Sequence, residues 1–304
     1  MRFSYNIYAF QWSFPEIVAD QVGLFRQEGL NLKFSSFIAK KDVRKNVTYN
    51  SLMRSGGSDI YHAGEWACII RVSQNPDTRI VAASRPGNGT LNSTFSIYVR
   101  PDSKLERPEM LANKRIAVEE DTGSYFTVVQ DMKRFVQKDQ IKLVQVGSPH
   151  MRLVSLLNGE VEAASLIHPW TELANEMGLV ELVRTDRRNP TLAVANLRVN
   201  ITELRSFFRA VNHAIELLND PNEDITESYA NLFLRICEEL PQTCKDAAQK
   251  VARKLKPPKW QPWQPYTSDE FRRAITLLED LSVAPNEVTF KYLVHPQIDE
   301  IFKL

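Results

Sequence analysis

Residues 22–34 read VGLFRQEGLNLKF. Gly23 and Gly29 bracket the exit of a helix, and Leu30-Asn31-Leu32-Lys33-Phe34 alternates apolar and polar side chains as a strand does. Upstream, residues 2–10 read as a first strand. Trp12-Ser13-Phe14-Pro15 then opens a helix, because Ser13 suits an N-cap and Pro15 the first turn. Ile17, Val18, Val22 and Phe25 recur at helical spacing. Strand, helix, strand in this order is a βαβ unit, which implies a parallel sheet with crossover helices.

The pattern continues outward from that unit. A helix ends at Leu52-Met53-Arg54-Ser55-Gly56-Gly57, a strand covers Ser58 to His62, and Gly64-Glu65-Trp66 turns the chain into a helix through Arg71. Arg79 to Ser84 reads as a buried strand, followed by the loop Arg85 to Thr90. A second set follows: strands at Phe95–Arg100, Arg115–Val118, Lys142–Gln145 and Ala163–Ile167, with helices between them. Leu192 to Val199 is an extended run returning to the first set. The spacing then predicts helices over about 202–219, 223–238, 242–254 and 268–281. A proline-rich break at Lys256–Pro265 carries Trp260 and Trp263 and reads as a structural strap or a lid. Two α/β lobes are expected: 1–88 plus 197–304, and 89–196.

The bulk properties narrow the function classes. The chain has 304 residues, 43% hydrophobic and 25% charged, which is ordinary globular composition. A net charge of +1, with no long Lys/Arg block, argues against nucleic acid as a partner. No run approaches the ~18 apolar residues of a membrane span. No signal peptide is visible after Met1, so the sequence as it stands reads as cytoplasmic, and as periplasmic or extracellular if a leader has been trimmed. Cys68, Cys237 and Cys244 are read as small buried or semi-buried residues, the last two at i, i+7 on one helix face, too far apart for a disulfide. The histidines, at 62, 150, 168, 213 and 295, lack metal-ligand spacing, and no metal or cofactor is called for.

Several stretches resemble one family. The opening through "VGLFRQEGLNLKF", then "SGGSDIYHAGE", "LANKRIAVEEDTGSYF" and "RLVSLLNGEVEAASLIHPW", are similar in order and spacing to nitrate/sulfonate/taurine-binding and THI5-like proteins. The resemblance covers about residues 3–215. It implies the type II periplasmic-binding-protein fold, two Rossmann-like lobes joined by a hinge, with a small-molecule ligand between them at the carboxyl ends of the strands. An ABC permease is implied as a partner only for a secreted form.

The loops expected to face the ligand supply the candidate residues. Gln11, Trp12 and Ser13 form the first; Trp12 either walls the pocket or packs on its own helix. His62 and Glu65 form the second, an acid/base-capable pair or a capped helix start. Arg85, Asn88 and Thr90 form the third, where Arg85 clamps an acid group or faces solvent. Thr122, Gly123, Ser124 and Tyr125 open a helix whose free N–H groups suit an anion, although N-capping by Thr122 explains the same residues. His168 completes the wall.

Function follows the site rather than the fold. The first hypothesis is a binding protein that closes on a small organic anion or an aromatic or heteroaromatic acid. The alternative is a cytoplasmic lyase, decarboxylase-like or desulfinase-like, with His62 and Glu65 as acid and base and Arg85 as anion clamp. A third is a ligand sensor. Two enzyme branches are disfavoured residue by residue. The Lys and His of THI5-type pyrimidine synthases would fall at Ala63 and Ala67. Arg54-Ser55-Gly56-Gly57 resembles the Arg-x-Gly-Gly of aromatic sulfinate desulfinases, but their Cys and His would fall near Phe10 and Asn46.

Overall fold

The computed structural model describes residues 1–36, 49–85, 94–120, 122–185, 189–221, 225–286 and 288–303. The strands are β1 (Arg2–Tyr5), β2 (Lys33–Ser36), β3 (Ile60–Gly64), β4 (Thr78–Ser84), β5 (Phe95–Val99), β6 (Arg115–Val118), β7 (Lys142–Gln145), β8 (Ala163–Ile167), β9 (Val180–Arg184), β10 (Thr191–Asn196) and β11 (Trp263–Gln264). The helices are α1 (Phe14–Gln21), α2 (Leu24–Gln27), α3 (Tyr49–Ser55), α4 (Glu65–Ser73), α5 (Gly123–Met132), α6 (Pro149–Leu157), α7 (Trp170–Glu176), α8 (Ile201–Asn219), α9 (Thr226–Cys237), α10 (Gln242–Ala252), α11 (Ser268–Asp280), α12 (Phe290–Leu293) and α13 (Ile298–Ile301). The chain divides into two compact units. Unit 1 is Met1–Asn92, Arg188–Glu223 and Lys259–Leu304; unit 2 is Ser93–Arg187 and Asp224–Pro258.

The two sheets repeat one order. Unit 1 runs β11-β4-β10-β3-β1-β2 and unit 2 runs β7-β6-β8-β5-β9. In unit 1, β2 lies outside β1, β1 pairs parallel with β3, and β10 is antiparallel to both β3 and β4; in unit 2, β7 lies outside β6, β6 pairs parallel with β8, and β5 is antiparallel to both β8 and β9. Central strands buried on both faces read as continuous apolar runs, and β8 (AASLI) and β10 (TLAVAN) are buried throughout. The long helix α8 buries Leu204, Phe207, Phe208, Val211 and Ile215, and starts at a capping box between Asn200 and Glu203.

Several expectations are corrected. The first strand stops at Tyr5, not near residue 10. The Asn6 side chain accepts from the Tyr8 N–H at 2.9 Å and turns the chain into a 3₁₀ helix over Ile7–Trp12. The buried face of α1 is Phe14, Pro15, Glu16 and Ala19. The apolar stripe read from sequence lies elsewhere: Ile17 and Val18 are half-buried and Val22 is exposed. Strand β9 had no counterpart in the sequence reading.

The lobe boundaries also differ from 1–88 plus 197–304 against 89–196, because residues 224–258 pack on unit 2. Tyr229 stacks on His168, Phe233 meets Trp170 edge-on, and Lys254 pairs with Glu176 at 2.7 Å. Cys237 and Cys244 lie on α9 and α10 rather than on one helix, since Pro241 starts a new helix between them. All three cysteines are free and buried, as expected.

The Trp260/Trp263 segment is a strap on unit 1. Strand β11 pairs antiparallel with β4. Asn212 of α8 accepts from the Trp263 N–H at 2.8 Å, Asn219 donates to the Trp260 carbonyl at 2.7 Å, and the Trp260 indole donates to the Gln11 carbonyl at 2.8 Å.

Candidate functional site

In unit 1, residues from the first and second predicted loops meet on the face of the sheet that carries α1 and α8. Ser13 stands at the N-cap position of α1, yet its hydroxyl makes no cap bond; it lies 3.3 Å from His62 Nε2 on β3. Glu16, in the first turn of α1, places Oε1 at 3.5 Å from the same nitrogen. A helix N-terminus favours a carboxylate by its dipole. The His62 ring is flanked by Phe3 at 5.3 Å and Trp263 at 5.5 Å between centroids. His62 is 6% exposed and Glu16 0%. Among the described residues, His62 Nδ1, both Glu16 oxygens and Gln11 Oε1 have no hydrogen-bond partner.

This geometry limits the chemistry. A nucleophile relay needs the acid on the imidazole nitrogen opposite the one facing the hydroxyl. Here Ser13 and Glu16 both face Nε2. The cluster is arranged to hold groups rather than to activate Ser13. Sequence reasoning missed Glu16. Its signal was a lone acid between Pro15 and Ile17, indistinguishable there from a surface carboxylate in a first helical turn.

Trp12 is half-buried on the 3₁₀ helix. Glu65 begins α4 and turns to Tyr266, whose hydroxyl donates to Oε1 at 2.8 Å. Burial is the main cause that pushes the Glu65 carboxyl up to about 8. His62 and Glu65 therefore have different partners rather than forming one acid/base pair. Arg85 is held in place of the expected acid-group clamp. Its Nε and Nη2 donate to the two Glu270 oxygens at 2.6 and 2.7 Å, Nη1 to Gln264 Oε1, and Nη2 also to the Pro265 carbonyl. Asn88 and Thr90 lie outside the described residues.

In unit 2, Thr122 caps α5, accepting from the Ser124 N–H at 3.3 Å and donating to the Glu119 carbonyl. The Ser124 hydroxyl accepts from the Glu119 N–H and from Arg152 Nη1. Gly123 lies so near Phe95 that a Cβ there would stand 2.9 Å from the ring. Tyr125 packs against the Ile97/Val118/Met132 core of this unit. Arg152, which the sequence did not single out, is buried and donates to the Ser165 and Gly147 carbonyls. Burial is the larger cause that lowers it to about 10. His168 is buried with both nitrogens engaged, Nδ1 at 2.7 Å from Glu172 Oε1 and Nε2 at 2.9 Å from the Tyr229 hydroxyl.

No grouping of three or more metal-ligating side chains occurs among the described residues, and no helix there is long and apolar enough to cross a membrane.

No protein-family model and no curated protein sequence matches the chain. Solved structures do. The alkanesulfonate-binding protein SsuA from Xanthomonas axonopodis pv. citri, bound to MOPS, aligns with a TM-score of 0.72 at 16% identity, covering 97% of each chain. The periplasmic aliphatic sulphonate binding protein SsuA from Escherichia coli aligns at 0.65 and 13%, covering 97% of this chain and 91% of that one. The Candida albicans CA3427 gene product, described as having the generic periplasmic binding protein fold, aligns at 0.64 and 14%, with 97% and 94% covered. Two sheets of one shared strand order, together with alignment over nearly the full length of these structures, give this chain the fold of the type II periplasmic binding proteins.

Proposed function

We propose that this chain reversibly binds a small organic molecule, and that residues at Gln11–Glu16 and His62 of unit 1 receive it. The observation that carries this reading is the cluster of buried polar atoms there without hydrogen-bond partners, beside the Phe3 and Trp263 rings. Buried polar groups are ordinarily paired, and an unpaired set costs free energy that an occupant can offset. An acid group on the ligand belongs to this reading, since the aligned structures include proteins bound to MOPS and to methylphosphonate. For a secreted form, an ABC permease is the partner that the reading implies.

Native mass spectrometry of the purified chain, with a thermal-shift screen of small organic acids, tests the proposal. A bound mass or a saturable rise in Tm is expected. A chain that carries nothing and responds to nothing ends it.

A lyase remains the second reading, and the Glu65 carboxyl, pushed up to about 8, is the observation that favours it. Tyr266 holds an oxygen of that carboxyl, so turnover would require the Tyr266 bond to open. Recovery of bound compound unchanged after long incubation rejects this reading.

A further inference from the structure

Glu16 sits in surroundings that suit neither a surface carboxylate nor an ordinary buried one. It is 0% exposed, and among the described residues neither oxygen accepts a hydrogen bond. The group facing it, His62 Nε2, is 3.5 Å from Oε1 and is shared with the Ser13 hydroxyl at 3.3 Å. His62 Nδ1 is also without a partner. Native proteins seldom bury a carboxylate this way, because desolvation of the charge is costly and is recovered only through donors placed on it. Among the described residues no donor makes a hydrogen bond to either oxygen, so the complement falls to what binds there.

We propose that Glu16 is the specificity anchor for a ligand that carries a protonated or N–H-donating nitrogen group, such as an amidine, an amine or an amino-substituted heteroaromatic ring. The inference rests on the small-molecule reading above and names the chemistry of its ligand. A planar group with two N–H donors matches a carboxylate neither of whose oxygens accepts a hydrogen bond, in the bidentate geometry that gives the strongest charge-assisted pairs. The Phe3 and Trp263 rings pack on the His62 ring and hold the imidazole that faces Glu16. A carboxylate or sulfonate would be repelled by Glu16, so any acid end of the ligand must lie away from it.

Four probes of matched shape separate the possibilities: benzamidine, 4-amidinobenzoate, benzoate and terephthalate. Affinity is measured by calorimetry and thermal shift on the full chain, for wild type, Glu16→Gln and Glu16→Asp. Benzamidine and 4-amidinobenzoate are expected to bind wild type and to weaken about tenfold to a hundredfold in Glu16→Gln. Glu16→Asp, which keeps the charge one methylene back, should fall between. If Glu16→Gln does not fold, the Glu16→Asp comparison decides alone. Binding of benzoate or terephthalate with no preference for the amidines overturns the inference and leaves the small-molecule reading standing. Amidine binding that is equal in all three proteins also overturns it, and then trapped water explains the site. No response to any of the four overturns the inference, while the small-molecule reading is decided by the wider screen and the native mass spectrum.

Discussion

The Tyr266 hydroxyl donates a 2.8 Å hydrogen bond to Glu65 Oε1, joining the segment after the strap to the first turn of α4. Both residues are buried. Burial is the main cause that lifts Glu65 from 4.5 to about 8, and the Tyr266 bond pulls the other way. The folded chain therefore keeps this proton after the unfolded chain has lost it. Its stabilising contribution is whole below pH 4.5 and is lost as pH rises through about 8. Glu65→Gln should flatten that decline and be more stable than wild type at pH 9, by about 2 kcal/mol. Urea midpoints measured at pH 5, 7 and 9 check it; parallel pH profiles for the two proteins would refute it.

Arg85 anchors the segment that follows β11 to β4 through the fork on Glu270 and the Pro265 carbonyl. Arg85→Ala should cost about 1–3 kcal/mol, since it leaves Glu270 half-buried without its partner. Arg85→Lys should recover less than half, because an ammonium cannot reproduce the two-pronged contact. Chemical denaturation of the three proteins measures this. Unchanged affinity for any ligand found for the wild type would confirm that Arg85 is structural.

On the acid side the informative group is His150. Burial first, and the Arg152 charge second, lower it from 6.5 to about 3. Its contribution to stability is present above pH 6.5 and is lost as pH falls from there toward 3, because the unfolded chain takes up the proton first. His150→Gln should remove that part of the acid destabilisation, giving a shallower loss of Tm between pH 6.5 and 4. Equal slopes for the variant and wild type would count against it.

Gly123 opens α5 beneath the Phe95 ring of β5. A Cβ there would stand 2.9 Å from Phe95 Cζ, and that ring is buried. Gly123→Ala should cost about 1–3 kcal/mol. Combining it with Phe95→Leu, which removes the clashing ring edge, should give a loss smaller than the sum of the two single changes. Additive losses would show that the contact is not the cause.

Much of the architecture was legible because it is local. The strand–helix–strand order around VGLFRQEGLNLKF, the glycine stops and the apolar runs of β4, β6, β8 and β10 all lie within short windows. What escaped is what depends on distant partners. Arg85 meets Glu270 at 185 residues' separation, and His168 meets Tyr229 at 61. Neither separation leaves a periodic trace. Helices α9 and α10 carry ordinary amphipathic patterns, which show that they have a buried face but not which unit covers it. On α1 the local signal misled: Ile17, Val18 and Val22 outweigh Glu16 in any hydropathy count, yet Glu16 is the more deeply buried. Ser13 and His62 were found because each stands within a few residues of a helix start legible in the sequence, that of α1 and that of α4.

Strand β11 lies along the outer edge of β4, and that placement sets an order of events during synthesis. All segments of unit 2 have been made once residue 258 is joined, whereas unit 1 still awaits 259–304. Until then the open N–H and C=O groups of β4 are a template for any passing strand. A chain that ends in the Lys256–Pro265 stretch would carry one finished unit and one uncovered sheet edge. Such a product is expected to aggregate through β4, so truncation before β11 lowers soluble yield more than its length alone implies.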